Sequence, residues 1–449
     1  MSRITGVMAR EVLDSRGIPT VSATVTVDGG VRGEAKVPSG ASTGEHEAHE
    51  LRDGDKKRFG GQGVLQAVRN VNQEIQAALL GKDTANQTKI DKILIELDGT
   101  SNKSRLGANA ILAVSLACAR AEAASQGLPL YIYLQQLFPE REATMPIPQM
   151  NLVNGGKHAS NGLSVQEYHV LPVGKASFAE SLRVGVEIYQ ALKMLMLEDG
   201  YRTEVGDEAG FAPPVEKSEM VFTLLVRAIE KAGYVPGVDA VLGIDAAASE
   251  FFDKDKDYYL LDGSALAAQD LAYQYKTWRE RYPLVSIEDP FAEDDWETWK
   301  QFATRSGKFL QIVGDDLYVT DKNRIQRGVV EGSANAVLIK PNQVGTLTET
   351  LQAILMAQEA KNNVIVSHRS GETEDTFIAD LAVAVGAGQI KTGAPARGER
   401  TVKYNRLLQI EAEAEAPLAK NLQPYLTNLK ASYTTTAGDF KVESRGAAL

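Results

Sequence analysis

Only one cysteine stands among the 449 residues. Cys118 can close no disulfide within the chain, which excludes a disulfide scaffold and fits a reducing compartment. It sits in the Ala- and Leu-rich run 106–127, where a small buried helix residue is expected rather than a nucleophile. Long apolar runs are missing as well. None approaches the ~18 residues that cross a bilayer, and Met1 to Arg10 lacks the apolar centre of a signal peptide. A cytoplasmic protein with no membrane span is expected. Positive charge is in deficit, with 48 Lys and Arg against 59 Asp and Glu and a net charge of −11. That balance argues against general nucleic-acid binding, which needs a basic surface. It leaves room for a small anionic substrate, which responds to local charge. No G-x-G-x-x-G follows a strand, and neither G-x-x-x-x-G-K-[ST] nor H-E-x-x-H occurs.

What is present falls into two textures. The alternating stretch Thr20 to Val27 predicts a strand with one buried face, Asp28-Gly29-Gly30 a turn, and Val31 to Val37 a second strand. Helices are expected over Gly63 to Leu80 and Leu106 to Gln126, giving an N-terminal α+β domain over 1–138. Met145-Pro146-Ile147-Pro148 marks a boundary, because two prolines in three residues should not continue an interior strand. A second domain, 145–430, then alternates short apolar runs with helical stretches; 431–449 is a tail of uncertain structure. The apolar runs are 241–244, 284–287, 310–313, 336–339, 364–366 and 389–390. Runs of this kind suit parallel strands buried on both faces, in a (β/α) barrel of roughly 250 residues or in a doubly wound sheet.

Each run stops at a polar group: Asp245, Glu288, Asp315, Lys340, the Ser367-His368-Arg369-Ser370 cluster, and Lys391. The gaps between them suit βα units, apart from a longer first one. In a barrel these ends converge on one mouth. Asp245, Glu288 and Asp315 are hard oxygen donors, which favour Mg²⁺ over softer metals. Lys340 beside a cation and Lys391 should have a lowered pKa, as a base near neutral pH requires. A lysine facing a magnesium-held carboxylate can remove an α-proton. Gly206 to Gly210 carries Glu208, a candidate general acid, and Pro38 to Gly44 is a Gly/Ser loop that could close as a lid. His46, His49 and His169 are expected to be structural. Glu288 and Asp289 also leave open a carboxylate-pair glycosidase, which the scarcity of tryptophan disfavours. A binding protein without catalysis stays open too.

Several longer stretches go further: DSRGIPTV at 14–21, VPSGASTGEHEA at 37–48, LGANAILAVSLA at 106–117, VGDEAGFAP at 205–213, SIEDPFAEDDW at 286–296, GDDLYVT at 314–320, SHRSGETEDTFIADL at 367–381 and IKTGAPARGER at 390–400. In these the sequence resembles the enolase family over nearly its whole length. The resemblance implies an atypical α/β barrel of the TIM type behind an α+β domain, assembled as a homodimer or octamer. It implies glycolytic dehydration of 2-phosphoglycerate to phosphoenolpyruvate with two Mg²⁺ per site; a lysine base with magnesium is the arrangement known for enolase-superfamily sites. By position, Lys340 would take the C2 proton, and Glu208 assisted by Glu167 would protonate the departing C3 hydroxyl. Asp245, Glu288 and Asp315 would bind the first Mg²⁺, and Ser42 would help bind the second. Arg369 and Ser370 would hold the phosphate and Lys391 the carboxylate region, with His158 and Gln166 also touching substrate. Secondary surface-receptor or RNA-processing partners, and a second location at the cell surface, stay open. The chain departs from the family at Ala209, where glycine is usual; a positive φ there would strain the methyl.

Overall fold

A computed structural model of the protein describes residues 2–41, 44–139, 141–427, 429 and 433. The N-terminal part is an antiparallel sheet in the order β1 (Ile4–Leu13), β2 (Pro19–Val27) and β3 (Arg32–Lys36). The sequence pattern missed β1, an edge strand whose register shifts between Ile4 and Gly6. β2 was expected to bury one face, but it is the central strand and both faces of its first half are buried. Helix Ala108–Ser125 covers β2 and β3. It is mostly apolar around its circumference because most of it is buried. A Cβ at Gly33 would lie 2.2 Å from Ala121 N and 2.3 Å from Ala117 O, so glycine lets the helix backbone rest on the strand. Cys118 is fully buried in this helix and burial pushes its thiol far up, which makes it inert.

The remainder builds a closed eight-stranded barrel from β4 (Ile147–Asn154), β5 (Glu167–Pro172) and β6 (Ala240–Asp245), then, after a small sheet, five further strands. That sheet, β7 (Phe252–Asp253), β8 (Tyr258–Leu261) and β9 (Ser264–Leu266), accounts for the long first gap between strand ends. The others are β10 (Leu284–Glu288), β11 (Gln311–Gly314), β12 (Ala336–Ile339), β13 (Asn363–Ser367) and β14 (Gly388–Lys391). All six apolar runs are therefore barrel strands, and the doubly wound alternative falls away. β5 runs antiparallel to both β4 and β6. The prolines of 145–148 do not exclude a strand: Pro148 lies in β4, opposite Ile390 of β14. It is tolerated because the ladder to β5 begins only at Met150, so the missing N–H falls at the strand's start.

Polar side chains plug the barrel beneath its mouth. Gln149 Nε2 donates to Gln389 Oε1 at 2.6 Å, Gln311 Nε2 to the same oxygen at 3.0 Å, and Asn363 Nδ2 to Gln311 Oε1 at 2.7 Å. A satisfied network of this kind fixes the strands against one another. Among the described residues, no helix is long and apolar enough to cross a membrane.

The two parts are joined through buried polar groups. Arg120 grips Asp375 with two bonds of 2.7 and 2.8 Å. Asp91, fully buried, accepts from Ser115 Oγ at 2.6 Å and Gln87 Nε2 at 3.0 Å, and from Thr348 N and Oγ1 at 2.8 and 2.5 Å. It thereby caps the barrel helix Leu347–Glu359 from the other domain. Asp91→Ala leaves these donors buried and unmet, and is expected to lower stability by about 3 kcal/mol. A urea midpoint equal to the parent's would contradict that role.

Candidate active site

Register brings the strand ends level. Asn154 closes β4, Glu167 opens the reversed β5, and Asp245 and Glu288 close β6 and β10; each pairs with the next. Because β5 is reversed, its first residue lies where its neighbours' last ones do. Ser367 pairs with Lys391 at the ends of β13 and β14. Asp315 and Lys340 follow directly on β11 and β12. One small polar cavity at this mouth is lined by His158, Gln166, Glu167, Glu208, Asp245, Lys340, His368, Arg369, Ser370 and Lys391.

On one side stand two buried carboxyls of opposite character. Burial, then the charge of Glu208, raises Glu167 well above the usual carboxyl range. Burial pushes Glu208 the same way, but His368, His158 and Arg400 outweigh it and hold Glu208 well below. His158 Nδ1 lies 3.7 Å from Glu167 and 3.8 Å from Glu208, and burial keeps the ring neutral. His169, expected to be structural, does not line the cavity but backs Glu167: its Nε2 is 2.8 Å from Glu167 Oε2, and burial lowers its pKa to about 3. Glu208 Oε2 accepts from Asn151 Nδ2 at 3.0 Å. Ala209 does adopt φ 67, and Tyr189 OH holds its carbonyl at 3.0 Å. The strain, roughly 1–2 kcal/mol for a residue with a Cβ, sets the turn that carries Glu208.

Two lysines face this pair. Lys391 Nζ lies 2.7 Å from Glu288 Oε1, 3.2 Å from Asp245 Oδ2 and 3.4 Å from Glu167 Oε1. Burial opposes its charge, yet Asp245, Glu167 and Glu288 hold the ammonium well above its ordinary value. Lys340 Nζ bonds Asp315 Oδ2. Lowering was expected with a cation beside Lys340; the protein's own groups alone tip the balance the other way. Burial works toward lowering, and so do Arg369 and Lys391, but Asp315 outweighs them and the pKa is raised.

Arg369 forms a fork on Glu47, at 2.9 Å to Oε2 and 3.2 Å to Oε1, and Ser370 Oγ accepts from Ala41 N at 2.7 Å. The Gly/Ser loop thus leaves the N-terminal domain already fastened to the barrel mouth, where Ser39 and Gly371 exchange two backbone bonds of 2.9 Å. Ser42 lies outside the described residues. Gln166 Nε2 reaches Asp245 Oδ2 at 3.4 Å. Asp289 does not face the mouth: it accepts from the backbone N–H of Asp315 at 2.9 Å and of Asp316 at 2.8 Å. The glycosidase reading thereby loses its second carboxylate.

The donor set fits a hard cation. Asp245, Glu288 and Asp315 offer only oxygen. Burial, with Asp245 next, raises Glu288 well above the carboxyl range even with Lys391 against it, so the cluster is short of positive charge. Among the described residues, ligand atoms gather within 4.8 Å in two groups, His158 with Glu167 and Glu208, and Asp289 with Asp315 and Asp316. Asp245 and Glu288 instead share the Lys391 ammonium. Glu47, Asn151, Gln343 and Arg400 carry no signal of their own in the sequence pattern. Gln343, which donates to Asp315 Oδ1 at 2.9 Å, follows closely on Lys340, the one signal that could have found it.

Two family models cover this architecture. Residues 4–134 match the enolase N-terminal domain, and residues 142–421 match the enolase C-terminal TIM barrel domain. These matches run through both domains and every strand of the barrel, and with them the chain belongs to the enolase family, whose members are enzymes of the lyase type.

Proposed function

We propose that the protein catalyses the reversible loss of water from 2-phosphoglycerate to give phosphoenolpyruvate, the glycolytic reaction. The observation that carries this is a single cavity lined by a lysine, a buried carboxyl pair whose pKa values are driven apart, and an arginine beside a serine. Lys340 takes the proton from C2. The electron pair forms the C2–C3 double bond as the C3–O bond breaks, and the Glu167–Glu208 pair supplies the proton with which that oxygen leaves as water. Arg369 and Ser370 bind the phosphate, for which the fork on Glu47 is the matching geometry. Lys391 balances charge at the carboxylate end, while His158 and Gln166 complete the wall. To act as a base Lys340 must be neutral, so its ion pair with Asp315 has to be relieved as substrate binds.

Asp245, Glu288 and Asp315 would hold magnesium, and Ser42 would contribute to a second ion. When bound, the metal supplies positive charge against the substrate carboxylate as negative charge grows there. The domain limits we propose are 1–138 and 145–430. The test is direct: 2-phosphoglycerate with Mg²⁺ should give phosphoenolpyruvate, followed by its absorbance, and a chelator should abolish the signal. Absence of turnover with Mg²⁺, or turnover untouched by the chelator, would overturn the reading.

A further inference from the structure

We propose that Arg400 is a positioning residue that fixes the proton of His368 on Nε2, and thereby sets the donor and the charge presented to Glu208. This rests on the reading of Glu208 as half of the acid pair.

Arg400 lies in the first turn of helix Gly398–Glu413 and its side chain is wholly buried. Its guanidinium gathers two segments of the mouth. Nη1 lies 2.7 Å from His368 Nδ1 and donates to Arg369 O at 2.7 Å. Nη2 donates to Ser370 O at 2.6 Å and to Asp207 O at 3.1 Å. The acid loop and the arginine–serine loop are thus tied to one cation. Gly393 makes the space: a Cβ there would lie 2.9 Å from Arg400 Cδ, 2.9 Å from Glu208 O and 3.1 Å from His368 Cε1.

A guanidinium only donates, so His368 Nδ1 must accept. The proton of the neutral ring then sits on Nε2, which lies 3.2 Å from Glu208 Oε2. Protonation of the ring is suppressed by burial and Arg400, against the pull of Glu208, and its pKa falls to about 3. The charged or titratable groups facing this pair are Arg400, Lys391 and His169 around His368, and His158, His169, Glu167, Tyr404, Arg400 and Lys391 around Glu208. Without the guanidinium, His368 is free to turn or to gain a second proton.

The chain has five histidines, so ¹⁵N-histidine spectra are tractable, with His368 assigned through His368→Gln. The parent should show Nε2 protonated and Nδ1 bare. A proton on Nδ1 overturns the proposal, whether or not any variant folds. Arg400→Met should lower kcat by about 10- to 100-fold, with KM changed far less, and should add an acidic limb to the pH profile of kcat. His368→Gln in that background should remove the limb, and Arg400→Lys, which keeps the charge, should not produce one. Lowered activity with the parental pH profile would reduce Arg400 to a loop staple and also overturn the proposal. If 2-phosphoglycerate is not turned over at all, the proposed function fails, while the spectra still decide where the proton sits.

Discussion

Lys340→Ala is expected to lower kcat by about 10⁴-fold, the upper range for loss of a general base, and to abolish exchange of the C2 proton with solvent. Bound 2-phosphoglycerate should remain measurable by calorimetry, because Arg369, Ser370 and Lys391 are untouched. The loss should be large because nothing nearby can substitute. The other lysine of the mouth, Lys391, is held by three carboxylates at 2.7, 3.2 and 3.4 Å. Burial alone would favour its neutral form, but those carboxylates keep it charged, so it has no lone pair to offer. The histidines lie by the acid pair, and His158 and His368 approach Glu208 rather than Lys340. Deuterium entering C2 from D₂O at the parental rate in Lys340→Ala would remove Lys340 from the role of base.

The catalytic side of the barrel was legible in the sequence where a strand is a continuous apolar run that ends on a polar residue. Asp245, Glu288 and Lys391 end such runs, and Asp315 and Lys340 stand directly after them. β4 and β5 lack that signature. β4 begins with Ile147-Pro148 and carries Gln149, Asn151 and Asn154, while β5 carries Glu167 and His169. Their polar side chains are buried in the barrel plug or the mouth, so hydropathy could not mark them as strands. Glu167 became a candidate only through the family resemblance, since a reversed strand puts its first residue, not its last, at the mouth. Longer-range pairings were out of reach for a different reason. Arg369 meets Glu47 across 322 positions, and Arg400 meets Asp207 across 193; no local pattern encodes such contacts.

Lys391→Met is expected to destabilise the protein by roughly 3–5 kcal/mol at neutral pH without divalent cations, the cost of removing one partner from a buried ion cluster. The methionine keeps much of the side-chain volume, so the loss reports charge. Glu167, Asp245 and Glu288 would then face one another without the ammonium. Burial already raises Glu167 and Glu288 well above the carboxyl value of 4.5, and removing Lys391 raises them further. A carboxyl whose folded pKa is raised favours the folded state at low pH and loses that contribution as pH rises through the folded value. The deficit from these two carboxyls should therefore be small while both stay protonated and grow as pH rises through their folded values in the parent, which lie well above 4.5. Magnesium should recover more stability in the variant than in the parent, because a cation that binds only the folded state supplies the missing charge. Thermal unfolding across pH, with and without Mg²⁺, measures both effects. Equal midpoints for variant and parent at pH 8 without cation would show that Lys391 is not the counter-ion of this cluster. A deficit that Mg²⁺ leaves unchanged would instead separate the stabilising role of these carboxylates from metal binding.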